Sequence, residues 1–235
     1  MRKGLLSLLV VGAMSSVGLA SSAPVTFTQL SGTAAVATGV YQADLSGLGL
    51  TTIQSITIKD NSGGSGGSPG QFSGFDLDAI KLSTTNFADA TTAAAGVGLA
   101  VFDFSPASTF FTAGSQRTPT DPKLFGTDAS GTQVDNTKAT LGSFDGNSNT
   151  TTPQGWISLG DNGTISFNLT APVSTVGLWL YIGEVGNNGE VAAGNITVSD
   201  ATTAPTPLPS SVWGGMVLLA IAGIAKYRKL VCARA

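Results

Sequence analysis

Gly160-Asp-Asn-Gly-Thr-Ile-Ser-Phe-Asn-Leu169 is the stretch that decides the fold class. Its first four residues are turn formers: glycine tolerates positive φ, and Asp and Asn bond to their own backbone. Directly after them, Ile165, Phe167 and Leu169 alternate with Ser166 and Asn168. A period of two sends alternate side chains to opposite faces, so the segment predicts a half-buried β-strand. The same period recurs in Ile56 and Ile58 among Ser55, Thr57 and Lys59, in Val25, Phe27 and Gln29 against Thr26 and Thr28, and in Ile196 and Val198. Val176 to Ile182 is the most apolar run, with Val176, Leu178, Leu180 and Ile182 on one face and Trp179 and Tyr181 on the other. It reads as a central strand covered on both faces, although its length also suits a short helix.

The connections between these runs are polar and rich in glycine. Asn61 to Gly70 and Asp145 to Pro153 read as loops, because nothing in them offsets the entropy of ordering a helix. The one helix candidate is Asn86 to Gly98, weakened by Thr91, Thr92 and Gly96. Many short strands without βα alternation predict an all-β fold, two packed antiparallel sheets in a β-sandwich or jelly roll.

The two ends differ from the body. Arg2 and Lys3 precede an apolar run from Leu5 to Ala13, and small residues lead to Gly18-Leu19-Ala20. This order matches a secretory signal peptide spanning residues 1–20, cleaved after Ala20. Its apolar run is shorter than the roughly 20 residues that a membrane span needs. Residues 21–203 then form one extracytoplasmic domain. They hold five basic residues, Lys59, Lys81, Arg117, Lys123 and Lys138, against all 14 acidic ones, a formal charge of −9. Such a surface repels phosphate backbones and argues against nucleic acid as a partner. The single cysteine, Cys232, lies beyond this domain, so no disulfide staples it.

Residues 204–235 form a linker and a hydrophobic tail. A helix from Val212 to Ala225 would reach about 21 Å, short of the roughly 30 Å hydrocarbon core. Its basic flank would stay on the cytoplasmic side. An ordinary single-pass anchor is one reading. The order Pro207-Leu-Pro-Ser-Ser-Val-Trp213, an apolar stretch, then Lys226-Tyr-Arg-Lys229 also resembles a PEP-CTERM sorting signal. Leu208 stands where the name-giving Glu sits in that family, as in its Pro-Leu-Pro-Ser-x-x-Trp variant. The resemblance implies Pro207 and Pro209 as recognition residues, residues 212–225 as a membrane-crossing helix, and Lys226, Arg228 and Lys229 as the stop. It also implies signal peptidase and an exosortase as export partners, a cell-surface or extracellular destination, and a host that makes exopolysaccharide. Phe72 to Leu82, Gly160 to Leu169 and Leu180 to Glu190 are similar to segments of bacterial surface β-sandwiches.

Catalysis finds little support. The chain has no histidine, the usual proton shuttle at neutral pH, and the body has no thiol nucleophile. Glu184 and Glu190 flank a Gly-Asn-Asn-Gly turn at a spacing open to a glycosidase pair, but the ordinary reading has them solvating the ends of a hairpin. Oxygen donors favour calcium instead. Asp76 and Asp78 share one face of a strand opposite Phe75 and Leu77, with an irregularity before Ile80, and are the metal candidates; the alternative is that they cap turns or face water. Asp145, Asn147 and Asn149 open like a calcium loop, but Thr150 and Trp156 break that pattern. Sugar sites on β-folds use exposed aromatic faces beside polar groups. Among Tyr41, Trp156, Trp179 and Tyr181, Trp156 is the glycan-contact candidate because it follows a polar loop, whereas Trp179 reads as core. The expected function is therefore a non-enzymatic surface or matrix protein associated with exopolysaccharide. The alternative is a carbohydrate-binding module stabilised by Ca²⁺.

Overall fold

The computed structural model describes residues 20–64, 68–149, 151–188 and 195–203. Among them, ten strands form two five-stranded sheets in which every strand pair is antiparallel. The first sheet runs, in spatial order, β1 (Ser22–Pro24), β10 (Asn195–Ser199), β4 (Thr52–Lys59), β8 (Thr164–Ser174) and β6 (Thr109–Thr112). The second runs β2 (Thr28–Gln29), β3 (Thr38–Asp44), β9 (Trp179–Val185), β5 (Asp76–Ser83) and β7 (Ile157–Ser158). Two short helices, α1 (Ala90–Ala95) and α2 (Asn136–Ala139), lie in the connections.

The alternation at Ile165, Phe167 and Leu169 builds β8, whose inward residues meet Ile56 and Ile58 of β4 in register: Ile56 faces Phe167 and Ile58 faces Ile165. The same buried cluster contains Leu77, Ile80 and Leu82 of β5 and Leu180 and Ile182 of β9, so one core joins the inward faces of both sheets. Two irregularities keep that core continuous. A register shift between Ile53 and Ser55 leaves Ile53 buried with Ile56, and the expected shift in β5 lies between Leu77 and Ile80. The turn before β8 is closed by Gly163 N–H donating to Gly160 O at 2.9 Å. Asp60, buried beneath it, accepts from Asn162 N at 2.8 Å and Phe75 N at 3.0 Å.

Several expectations are corrected. The apolar run at 176–182 is not one strand: Val176 is 82 % exposed in the turn joining β8 to β9, and Gly177 reverses the chain at φ +63°. The β-branched residues from Val173 to Val176 disguise that boundary. Trp179, read as core, opens β9 and is half-buried. Glu184, read as solvated, is fully buried in β9 opposite Leu77 and Gly39. Val25 and Phe27 belong to no strand; they pass over the core where the chain crosses from β1 in one sheet to β2 in the other.

The helix candidate shrinks to α1. Asp89 caps it, accepting from Thr92 N at 2.8 Å while Thr92 Oγ1 accepts from Asp89 N at 3.3 Å. Ala90 and Ala93 pack it on the outer face of the second sheet, against Val40, Ala79 and Tyr181. Lys81 Nζ reaches from β5 to the end of the helix and donates to the carbonyls of Ala93, Ala94 and Gly96 at 2.7, 3.0 and 2.7 Å. Burial lowers the Lys81 pKa from its ordinary value.

The signal expectation up to Leu19 and the tail with Pro207, Pro209, Lys226, Arg228, Lys229 and Cys232 lie outside the described residues. Among the described residues, no helix is long and apolar enough to cross a membrane.

Candidate functional site

Asp76 and Asp78 both belong to β5, but their surroundings differ. Asp76 is buried beside β7, accepts a hydrogen bond from the Ser158 hydroxyl and lines a cleft with Trp156. Asp78 is 0 % exposed. Thr38 Oγ1 donates to one of its oxygens at 2.7 Å, and the backbone N–H groups of Asp145 and Gly146 donate to the other at 3.2 and 3.0 Å. Burial pushes its pKa up to about 7, against the opposing pull of the Thr38 and Gly146 donors, while the nearby Asp145 charge adds to the rise. Three donors fill most of the roughly four lone-pair sites of the Asp78 carboxylate, leaving little of it for a cation. Among the described residues, no three His, Cys, Asp or Glu side chains are grouped to hold a metal ion.

The calcium-like spacing at Asp145, Asn147 and Asn149 builds turns. Asp145 accepts from Thr140 Oγ1 at 2.6 Å, Asn147 Oδ1 from Asn149 N at 3.0 Å, and Asn149 Oδ1 from Thr151 N at 2.9 Å. This pattern is general. Two of the 14 acidic residues are glutamates. Each of the twelve aspartates accepts a hydrogen bond or holds an ion pair inside the fold. Backbone and hydroxyl donors hold Asp44, Asp103, Asp128 and Asp135 below the usual carboxylate range.

Trp156, expected to be exposed, is 3 % exposed. Its ring packs on Phe125 with centroids 4.4 Å apart and on Phe72 at 6.0 Å. This aromatic wall divides two clefts. One, of about 310 Å³, is lined by Asp76, Phe72, Trp156 and Asn188. The other, of about 510 Å³, is lined by Phe125, Gln71, Gln154, Thr137, Lys123 and Lys138. Lys123 Nζ donates to the carbonyls of Thr127 and Asp128, both at 2.6 Å, and Lys138 Nζ lies 3.5 Å from Asp135. Lys123 is thus held by the chain's own carbonyls, whereas Lys138 pairs with Asp135 at the surface.

A second aromatic feature escapes the sequence reading. Phe102 and Phe104 stand with planes 3° apart and centroids 5.7 Å apart, each edge-on to buried Phe167. Both are half-buried. They line a shallow cleft of about 540 Å³ that shares Thr137 with the 510 Å³ cleft. The alternation in Val101-Phe-Asp-Phe104 carried the signal: two aromatics at i and i+2 project to one side. Tyr41 and Tyr181, by contrast, are buried.

No protein-family model matches this chain, and neither a curated protein nor a solved structure does.

Proposed function

We propose that this chain is a non-enzymatic exported protein of the cell surface or extracellular matrix, associated with exopolysaccharide. On this reading its body is a β-sandwich or jelly roll. Residues 1–20 are removed by signal peptidase, and residues 204–235 are a sorting segment handled by an exosortase. One observation supports the scaffold role: all twelve aspartates are engaged inside the fold, eleven as hydrogen-bond acceptors and Asp161 in an ion pair with Arg117, most of them fixing loops. A glycosidase needs a pair of carboxylates poised toward substrate; the aspartates here are turned on the chain's own donors.

Mass spectrometry of the secreted and surface fractions tests the routing. The expected product begins at Ser21 and lacks the basic end. A cytoplasmic product that begins at Met1 and keeps Lys226 to Ala235 overturns the proposal. Release of sugar from host exopolysaccharide by the purified protein overturns its non-enzymatic part.

A second reading, a carbohydrate-binding module, is favoured by the adjoining clefts and the parallel Phe102–Phe104 pair. Sugars bind where an aromatic surface adjoins planar polar groups.

A further inference from the structure

The cleft beside the Phe102–Phe104 pair and the cleft lined by Gln71 and Gln154 adjoin at Thr137, so aromatic and polar groups line one furrow across that residue. Thr137 belongs to both of its lobes. Each lobe, about 540 and 510 Å³, falls within the roughly 300–1,000 Å³ typical of ligand sites. The two together suit a chain of several sugar rings better than one small molecule. One lobe offers parallel rings held upright by Phe167, beside Asn136. The other offers the amides of Gln71 and Gln154, whose side chains make no hydrogen bond among the described residues. A primary amide presents a donor and an acceptor side by side, which matches a pair of neighbouring hydroxyls.

Charge narrows the ligand class. The body carries five basic residues against 14 acidic ones. The two ammonium groups lining the furrow are engaged with Thr127 and Asp128 carbonyls and with Asp135. A polyanionic chain would meet a body of net negative charge, and the two described cations lining the furrow already face protein acceptors. We infer that the furrow running from Phe102 and Phe104 past Thr137 to Gln71 and Gln154 binds a neutral polysaccharide, with sugar rings packed on the phenylalanine pair. This rests on the carbohydrate-binding reading above and adds the location and the charge class.

The test is affinity electrophoresis of the full chain, in mild detergent, through gels containing laminarin or dextran as neutral glycans and alginate as an acidic one. The expected result is retardation by a neutral glycan and none by alginate. Phe102→Ala and Phe104→Ala should each weaken retention about tenfold. Both rings rest on Phe167, so circular dichroism must accompany those variants. Thr137→Arg, at an exposed position, fills the seam between the lobes without touching the core and should also weaken retention. Retention of the parent unchanged in folded Phe102→Ala, Phe104→Ala and Thr137→Arg chains overturns the location and leaves the carbohydrate-binding reading standing. Absence of retention by either neutral glycan overturns that reading and the site with it. Stronger retention by alginate overturns the charge class.

Discussion

Asp78 is a buried carboxyl whose donors come from Thr38, Asp145 and Gly146, at sequence separations of 40, 67 and 68. Its acidity was legible in the sequence and its partners were not, because only the folded topology brings those segments together. Its raised pKa has a definite sign. The folded carboxyl titrates at about 7, whereas an unfolded one titrates near 4, roughly. Between those values the folded state holds a proton that the unfolded state has lost. Stability is therefore greatest at the acid end of the window and falls as pH rises toward 7, by at most about 1.4 kcal/mol per pH unit. Asp78→Asn keeps an oxygen for the two N–H donors and offers Thr38 a donor in return. It should abolish this slope and leave stability at neutral pH equal or higher. Asp44, Asp103, Asp128 and Asp135, with lowered pKa values, titrate below the window in both proteins, so they cancel in the comparison. Urea unfolding of the two proteins across this range measures it, and an identical slope in both refutes it. Lys81 gives a complementary case. Lys81→Met strands three carbonyls at the end of α1 and should cost about 2 kcal/mol or more in the same assay.

At the scale of elements, strands with strict alternation were readable and boundaries were not. β8 and β4 were found because one face of each is buried and the other is polar, as in the Thr57–Ser166 hydroxyl pair at 2.8 Å. The start of β9 is hidden because the β-branched Val173, Thr175 and Val176 carry strand-like texture into its preceding turn. The burial of Trp156 is hidden for a related reason: a polar loop before it says nothing about the ring's own neighbours, Phe125 and Phe72, which come from elsewhere in the chain. The turn before β8 makes the clearest element-level prediction. A Cβ on Gly163 would collide with the Leu159 carbonyl oxygen and with Gly114 N, both backbone. Gly163→Ala should cost about 1–3 kcal/mol through this overpacking. Gly47, which sits in a turn with open space around it, gives the control. Gly47→Ala should stay within about 0.5 kcal/mol of the parent by thermal or urea unfolding.

For the molecule as a whole, two antiparallel sheets were legible from strand texture, whereas the order of strands within each sheet was not, since no local signal encodes which strands pair. The furrow was also hidden, because it is assembled from the loop after α1, the segment around α2 and the approach to β7. Without cysteine in residues 21–203, stability rests on the shared core and on aspartate-fixed loops. Reducing agent should leave the melting temperature unchanged, and so should a calcium chelator, given the three protein donors on Asp78. A fall of several degrees on chelation would instead reveal a stabilising ion.

The pairing of β1 with β10 has a consequence in time. Ser22 lies opposite Ser199, and Ser21 N–H bonds to Asp200 across a separation of 179 residues. Whether the chain emerges from a ribosome or threads through a translocation channel, β1 must wait for β10, its one strand partner among the described residues. β4 likewise lacks one neighbour until β10 appears. The first sheet can close only once Asn195–Ser199 is available, although β4, β8 and β6 can pair before it. Such long-range closure makes folding slow. A chain cut before Asn195 should therefore stall as an aggregation-prone, protease-sensitive form, and a separately supplied segment covering β10 should rescue it.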